Sequence, residues 1–156
     1  EAMTFAENII VMDAGSIVQV GSPSELFERP KTTFVGYFIG APAMNFFECQ
    51  LEGSHNVSFG GATITTETDL SKTGEATLKL GIRSEYIRIV ETAGINTIKA
   101  QVQRVEDLGT HKLVSAIFDN QNVKIKVKRD QEVPLDSVSL EFPARHCCVY
   151  EKEQLI

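Results

Sequence analysis

No apolar run in the 156 residues approaches the ~20 that a bilayer-spanning helix requires. The N-terminus lacks the basic stretch, apolar core and small-residue site of a signal peptide. Neither membrane insertion nor export is therefore expected. Cysteine is scarce: Cys49, Cys147 and Cys148 make an odd count with two of them adjacent, a poor disulfide framework that fits a reducing cytosol. Positive charge is also in deficit. The formal net charge is −6, and it divides evenly, with five acids and two bases in residues 1–40 and sixteen and thirteen in the remainder. Neither part carries the basic excess that draws a phosphate backbone, which argues against nucleic-acid binding as a main activity. Missing as well is any G-x-x-x-x-G-K-[ST] loop, whose backbone N–H groups and lysine would cradle the phosphates of a nucleotide. Gly60-Gly61 runs straight into Ala62-Thr63-Ile64 with no lysine and reads as a turn.

Apolar material is ample, at 42% of residues against 23% charged, so a packed core is expected and disorder is not. Residues 1–40 mix helix and strand. Glu1–Glu7 has helical composition, Asn8–Met12 and Ile17–Val20 are short apolar runs, and Asp13-Ala14-Gly15-Ser16 supplies the turn of a hairpin between them. Gly21-Ser22-Pro23 then opens a helix, with Ser22 as N-cap, Pro23 as first helical residue and Glu25 completing a capping box. That helix must stop near Arg29-Pro30. Thr32 or Thr33 caps a second short helix in which Phe34, Val35, Phe38 and Ile39 recur at helical spacing, ending at Gly40.

After Ala41-Pro42 the period changes to short strands broken by Gly, Asn and Asp. Strands are expected at Met44–Leu51, Asn56–Phe59, Ala62–Thr66, Thr77–Ile82, Ile98–Glu106, Lys112–Phe118, Val123–Val127, Val138–Glu141 and Cys147–Tyr150. Regular spacing of this kind points to a small barrel or sandwich. One short helical interruption is expected around Ser84–Ile87. In Val123–Lys128 the alternation is strict, so Val123, Ile125 and Val127 face a core and three lysines face water. Asp119–Asn122 turns that strand back onto Leu113–Phe118 as an antiparallel hairpin.

Several residues with chemical potential read more simply as structure. Lys72-Thr73-Gly74 has the K-T-G of serine β-lactamases without the accompanying S-x-x-K nucleophile. His146-Cys147-Cys148 offers soft ligands, but consecutive strand residues point to opposite faces and do not converge on one ion. His55 and His111 sit beside turn residues with no nucleophile or carboxylate partner in view. Lys124, Lys126, Lys128 and Arg129 form a basic strand face without the interleaved aromatics that stack on bases. No catalytic, cofactor-binding or metal-ligating residue is expected in this chain.

The run EAMTFAENIIVMDAGSIVQVGSPSELFERPKTTFVGYFIGAPAMNFF resembles the end of the nucleotide-binding domain of carbohydrate-importer ATPases of the ABC type, the group typified by the maltose-importer ATPase subunit. There, EAMT follows the switch histidine, and a GxPxMN-type segment, here Gly40–Asn45, enters the regulatory domain. Leu80-Gly81-Ile82-Arg83-Ser84-Glu85-Tyr86-Ile87 is similar to the family's LGIRPEHI, with Ser84 and Tyr86 where Pro and His are usual. Val105–Gly109 is similar to its VExLG, and Phe142–His146 resembles its final barrel strand.

The resemblance implies a mainly β chain: a short α/β remnant of the nucleotide-binding domain over residues 1–40, then a small OB-like barrel of the TOBE or molybdate-binding-protein type over 41–156. It implies a regulatory and dimerisation role in a sugar importer, on the cytoplasmic side of the membrane. ATP and magnesium would be bound by the full-length parent and nothing by this chain. Implied partners are a second copy, the importer's membrane subunits through an upstream domain, and a regulatory protein or small effector. Gly81, Ile82, Arg83, Ser84 and Glu85 are the implied interface or regulatory residues. Phe46 and Phe47 are divided between interface and core, and core packing is the reading for at least one. A free-standing small-ligand or oxyanion-binding barrel is the alternative reading of the same chain. Apolar strand edges in residues 1–22 are expected to seek a partner, giving a dimer.

Overall fold

A computed structural model describes residues 5–156. Most of the helix expected over Glu1–Glu7 lies outside the described residues. The chain then forms the expected hairpin, β1 (Ile9–Asp13) and β2 (Ser16–Gly21), turning through Ala14 and Gly15 in the left-handed region. A bulge opposite Val11 and Met12 shifts the register, so that Ile17 shares a face with Val20, Ile10 and Met12, all four exposed. The other face buries Val11 against α1 (Pro23–Glu28) and α2 (Thr33–Phe38).

Both helices begin where cap chemistry says they should. Ser22 and Glu25 form a complete capping box, and Thr32 Oγ1 accepts the Val35 N–H at 3.2 Å. Six-residue helices are not stable alone, and these are fixed by burying Leu26, Val35 and Ile39 in a small cluster with Val11. Phe34 and Phe38 depart from the expected apolar stripe. They stack on each other, centroids 5.9 Å apart, on the outer side of α2, and Phe38 is 68% exposed.

Residues 45–155 form two antiparallel sheets that wrap one core. The first runs in the order β13 (Gln154–Leu155), β12 (Cys148–Glu151), β6 (Thr77–Ile82), β3 (Asn45–Leu51), β4 (Asn56–Phe59) and β5 (Ala62–Thr65). The second runs β10 (Gln121–Lys128), β9 (His111–Phe118), β8 (Thr97–Asp107), β11 (Ser137–Glu141) and β7 (Arg88–Val90). This is an OB-like arrangement of two half-barrels. The β9–β10 hairpin has the expected register, with Val123 opposite Ala116 and Ile125 opposite Val114, and Val123, Ile125 and Val127 buried. Its turn is tighter than expected, because Asp119 and Asn120 both take positive φ and close it in two residues.

Two expectations need correction. Ser84–Ile87 is not helical but a single turn, closed by the Tyr86 N–H on the Arg83 carbonyl. The Ser84 carbonyl accepts the Lys126 N–H from β10, which ties the segment to the barrel and sends the chain directly into β7. Phe142–His146 is not the final barrel strand. The ladder ends at Glu141 because Pro143 has no N–H to continue it, and Ala144–His146 makes one 3-10 turn before β12 closes the barrel against β6.

Candidate functional site

Of the residues singled out in the sequence, Phe46, Gly81 and Arg83 meet at the seam between the two helices and the barrel, whereas Phe47 and Ile82 lie in the barrel core. β3 supplies the first of them. Side chains alternate across a strand, so Phe47 turns into the barrel core, fully buried and stacked on Phe59 with centroids 5.2 Å apart. Phe46 turns to the seam, where its ring lies 4.6 Å from Tyr37 of α2 and 5.4 Å from Tyr150 of β12. Asn45 anchors the start of the strand by bonding the Ile82 and Lys124 carbonyls and accepting the Lys124 N–H.

β6 supplies the rest. Ile82 faces the barrel core, and Gly81 faces the seam. A Cβ at Gly81 would sit 3.0 Å from both Phe46 and Tyr150 rings, so glycine is what lets those aromatics close over the strand. Arg83, 1% exposed, leaves the end of β6 and runs into the helical unit. Its Nε donates to the Phe27 carbonyl at 3.0 Å, and its Nη1 donates to the carbonyls of Gly36 (3.1 Å) and Ile39. The guanidinium also lies over the Phe27 ring, 4.4 Å from its centroid. Burial pushes the Arg83 pKa down from its ordinary value. Ser84 is buried and Glu85 is exposed.

Residues outside the implied interface set complete the seam. The Tyr150 hydroxyl donates to the Pro30 carbonyl at 2.8 Å. Thr33 bonds Glu153 through both its N–H and its hydroxyl, and the Leu155 N–H reaches the Lys31 carbonyl at 2.9 Å. At the far end, the Tyr86 ring stacks on His146 at 3.8 Å, and its hydroxyl bonds Glu28 at the end of α1. Strand alternation carries the signal for Tyr150, since Val149 beside it faces the barrel core. Locally Thr33 reads only as an alternative helix cap, a role that Thr32 takes, and nothing local marks Glu153.

The remaining candidates are dispersed. Cys147 and Cys148 are both buried but on opposite sides: Cys147 in the barrel core, Cys148 at the seam beside Met44 and Tyr150. His55 and His111 each meet the hydroxyl of the preceding residue, Ser54 and Thr110. The Thr73 hydroxyl and the Gly74 and Glu75 N–H groups all donate to Glu151, which makes that segment a turn built around a carboxylate. Lys124 bonds Ser115, and Arg129 pairs with Asp107 at 3.0 Å. Among the described residues, no group of three or more His, Cys, Asp or Glu is placed to hold a metal ion.

Two half-barrels entered through a keyed helical pair define an OB-like domain. Comparison with known proteins gives the family. The MalK OB fold domain matches residues 40–87 and the TOBE domain matches residues 80–149. The chain belongs to this family and corresponds to the C-terminal region of a carbohydrate-type ABC importer ATP-binding subunit. It is 35% identical over 125 residues to the sn-glycerol-3-phosphate import ATP-binding protein UgpC of Chromobacterium violaceum, covering 79% of this chain and 34% of that protein. It is 36% identical over 133 residues to the oligosaccharides import ATP-binding protein MsmX of Bacillus subtilis, covering 78% and 36%. A UgpC of Psychromonas ingrahamii aligns over 98% of this chain at 28% identity and over 42% of its own length. The chain thus spans about two fifths or less of these curated relatives. Among solved structures, the cytoplasmic molybdate-binding protein ModG superposes with a TM-score of 0.54 at 12% identity, over 68% of this chain and 94% of that one. That likeness is one of fold.

Proposed function

We propose that this chain is the non-catalytic regulatory and dimerisation region of a sugar importer's ATP-binding subunit. Residues 1–40 are a remnant of the nucleotide-binding domain, and 41–156 are the regulatory barrel. The observation that carries this reading is the two-sided character of the N-terminal unit. One side is keyed into the barrel through Arg83, Tyr150 and Glu153. The other exposes Ile10, Met12, Ile17 and Val20 on one face of a two-stranded sheet, a surface suited to packing against further chain. The relatives' names as import ATP-binding proteins support the same assignment.

On this reading the parent couples ATP hydrolysis to carbohydrate uptake, with ATP and magnesium bound upstream of Glu1 and no cofactor in this chain. The parent works at the cytoplasmic face of the membrane. It meets the importer's membrane subunits through its upstream domain, pairs with a second copy, and offers the barrel to a regulatory protein or small effector. Nucleic acid is not among its partners.

The coding sequence upstream of Glu1 tests the proposal. A phosphate loop and a signature loop within roughly 130–200 residues, a domain's length, are expected. An open reading frame that begins at Glu1 would contradict it.

A further inference from the structure

Arg83 is placed unlike any other cation among the described residues. Its guanidinium is buried, no carboxylate lies within ion-pair distance of it, and its Nη2 has no hydrogen-bond partner. A buried charge normally needs a counter-charge or dense hydrogen bonding. Here every hydrogen bond comes from backbone carbonyls, Phe27 near the end of α1 and Gly36 and Ile39 at the end of α2, with the Phe27 ring beneath the guanidinium. The last four carbonyls of any helix lack intrahelical partners, and in six-residue helices they are most of the carbonyls present. Helix C-termini also carry partial negative charge, which a cation answers.

The geometry is selective for arginine. Nε and Nη1 leave the planar guanidinium in fixed, different directions, and each reaches a different helix; a lysine ammonium is a point charge that cannot span both. Gly40, the residue that ends the helical unit, sits at φ +96°, and a Cβ there would lie 2.9 Å from Nη1, so the connector is shaped around this group.

We infer that Arg83 is the lock that docks the helical pair onto the barrel, holding the ends of α1 and α2 together so that the two units move as one body. If the barrel is regulatory, as proposed above, this is the residue through which a change in the barrel reaches the nucleotide-binding side. The lock itself is a property of this chain and is testable in it. Its failure would leave the family reading, which rests on upstream sequence, untouched.

The experiment is amide hydrogen exchange on the wild-type chain and on the Arg83→Met and Arg83→Lys variants. Two sets of amides are compared: Arg29, Gly36 and Ile39, which close the two helices on Glu25, Thr32 and Val35, and the β9–β10 ladder. With Arg83→Met the helical amides are expected to exchange roughly ten- to hundredfold faster, as befits lost hydrogen bonds to a charged donor, while the ladder keeps its protection. Arg83→Lys should fall between the two. Unchanged helical amides in Arg83→Met would overturn the inference. So would equal loss in helices and ladder, or a chain unfolded throughout, since either assigns Arg83 to the general core. Full wild-type protection in Arg83→Lys would also overturn it, because charge alone would then suffice.

Discussion

The Tyr150 hydroxyl of the closing barrel strand donates to the carbonyl of Pro30, 2.8 Å away, in the short link between the two helices. Tyr150 is buried at 1% exposure, and desolvation drives its pKa well above the ordinary tyrosine range, so it stays a neutral donor throughout the pH range of the folded chain. Tyr150→Phe keeps the ring against Phe46 but strands the Pro30 carbonyl. A loss of about 1–3 kcal/mol in unfolding free energy is expected from chemical denaturation. An unchanged midpoint would mean that the hydroxyl contributes nothing to the seam.

Adjacent phenylalanines should behave differently. Phe47→Ala removes a ring packed between Phe59 and Phe142 and is expected to cost about 3–5 kcal/mol. Phe46→Ala empties a half-buried seam position and is expected to cost less than half of that, because the site can relax toward solvent. Urea denaturation of the two variants checks the order. Equal losses would contradict the split between core and seam.

Much of this architecture is legible in the sequence, and the parts that are not share a physical reason. Capping chemistry at Ser22 and Thr32 and the alternation of Val123–Lys128 are local signals, and each places its element correctly. β7 and β13 are three and two residues long and exist only because a neighbouring strand holds them, so no period announces them. Arg83 is implied by resemblance as an interface or regulatory residue, but no local pattern announces its burial, which depends on carbonyls 44–56 positions away in the chain. Residues 81–85 stand out by resemblance, but what each one touches is set by packing.

The buried thiols give a pH dependence with a definite sign. Desolvation raises Cys49 and Cys147 from the ordinary 9.0 up to about 12. The unfolded chain ionises them first, so their contribution to stability is complete below pH 9.0 and is lost as pH rises toward 12, by about 1.4 kcal/mol per pH unit for each thiol. Urea midpoints should fall between pH 8 and pH 10, and Cys49→Ala should lessen the fall. At pH 8 an aromatic disulfide reagent should label the native chain slowly and the denatured chain at once. Rapid native labelling would show that the thiols are not walled in.

The exposed face of the β1–β2 hairpin predicts self-association. Sedimentation at micromolar concentration should show a dimer, and charged replacements at Ile10 and Ile17 should convert it to monomer by removing the apolar contact. A wild-type chain that sediments only as monomer would count against dimerisation through this face.

Phosphate release from magnesium–ATP, measured on this chain beside the complete ATP-binding subunit that carries it, tests the assignment most directly. On the proposed function, turnover is predicted in the complete subunit and none above the buffer rate in the chain alone, whose sequence has no G-x-x-x-x-G-K-[ST] loop to cradle the phosphates. Sustained hydrolysis by residues 1–156 on their own would contradict the account.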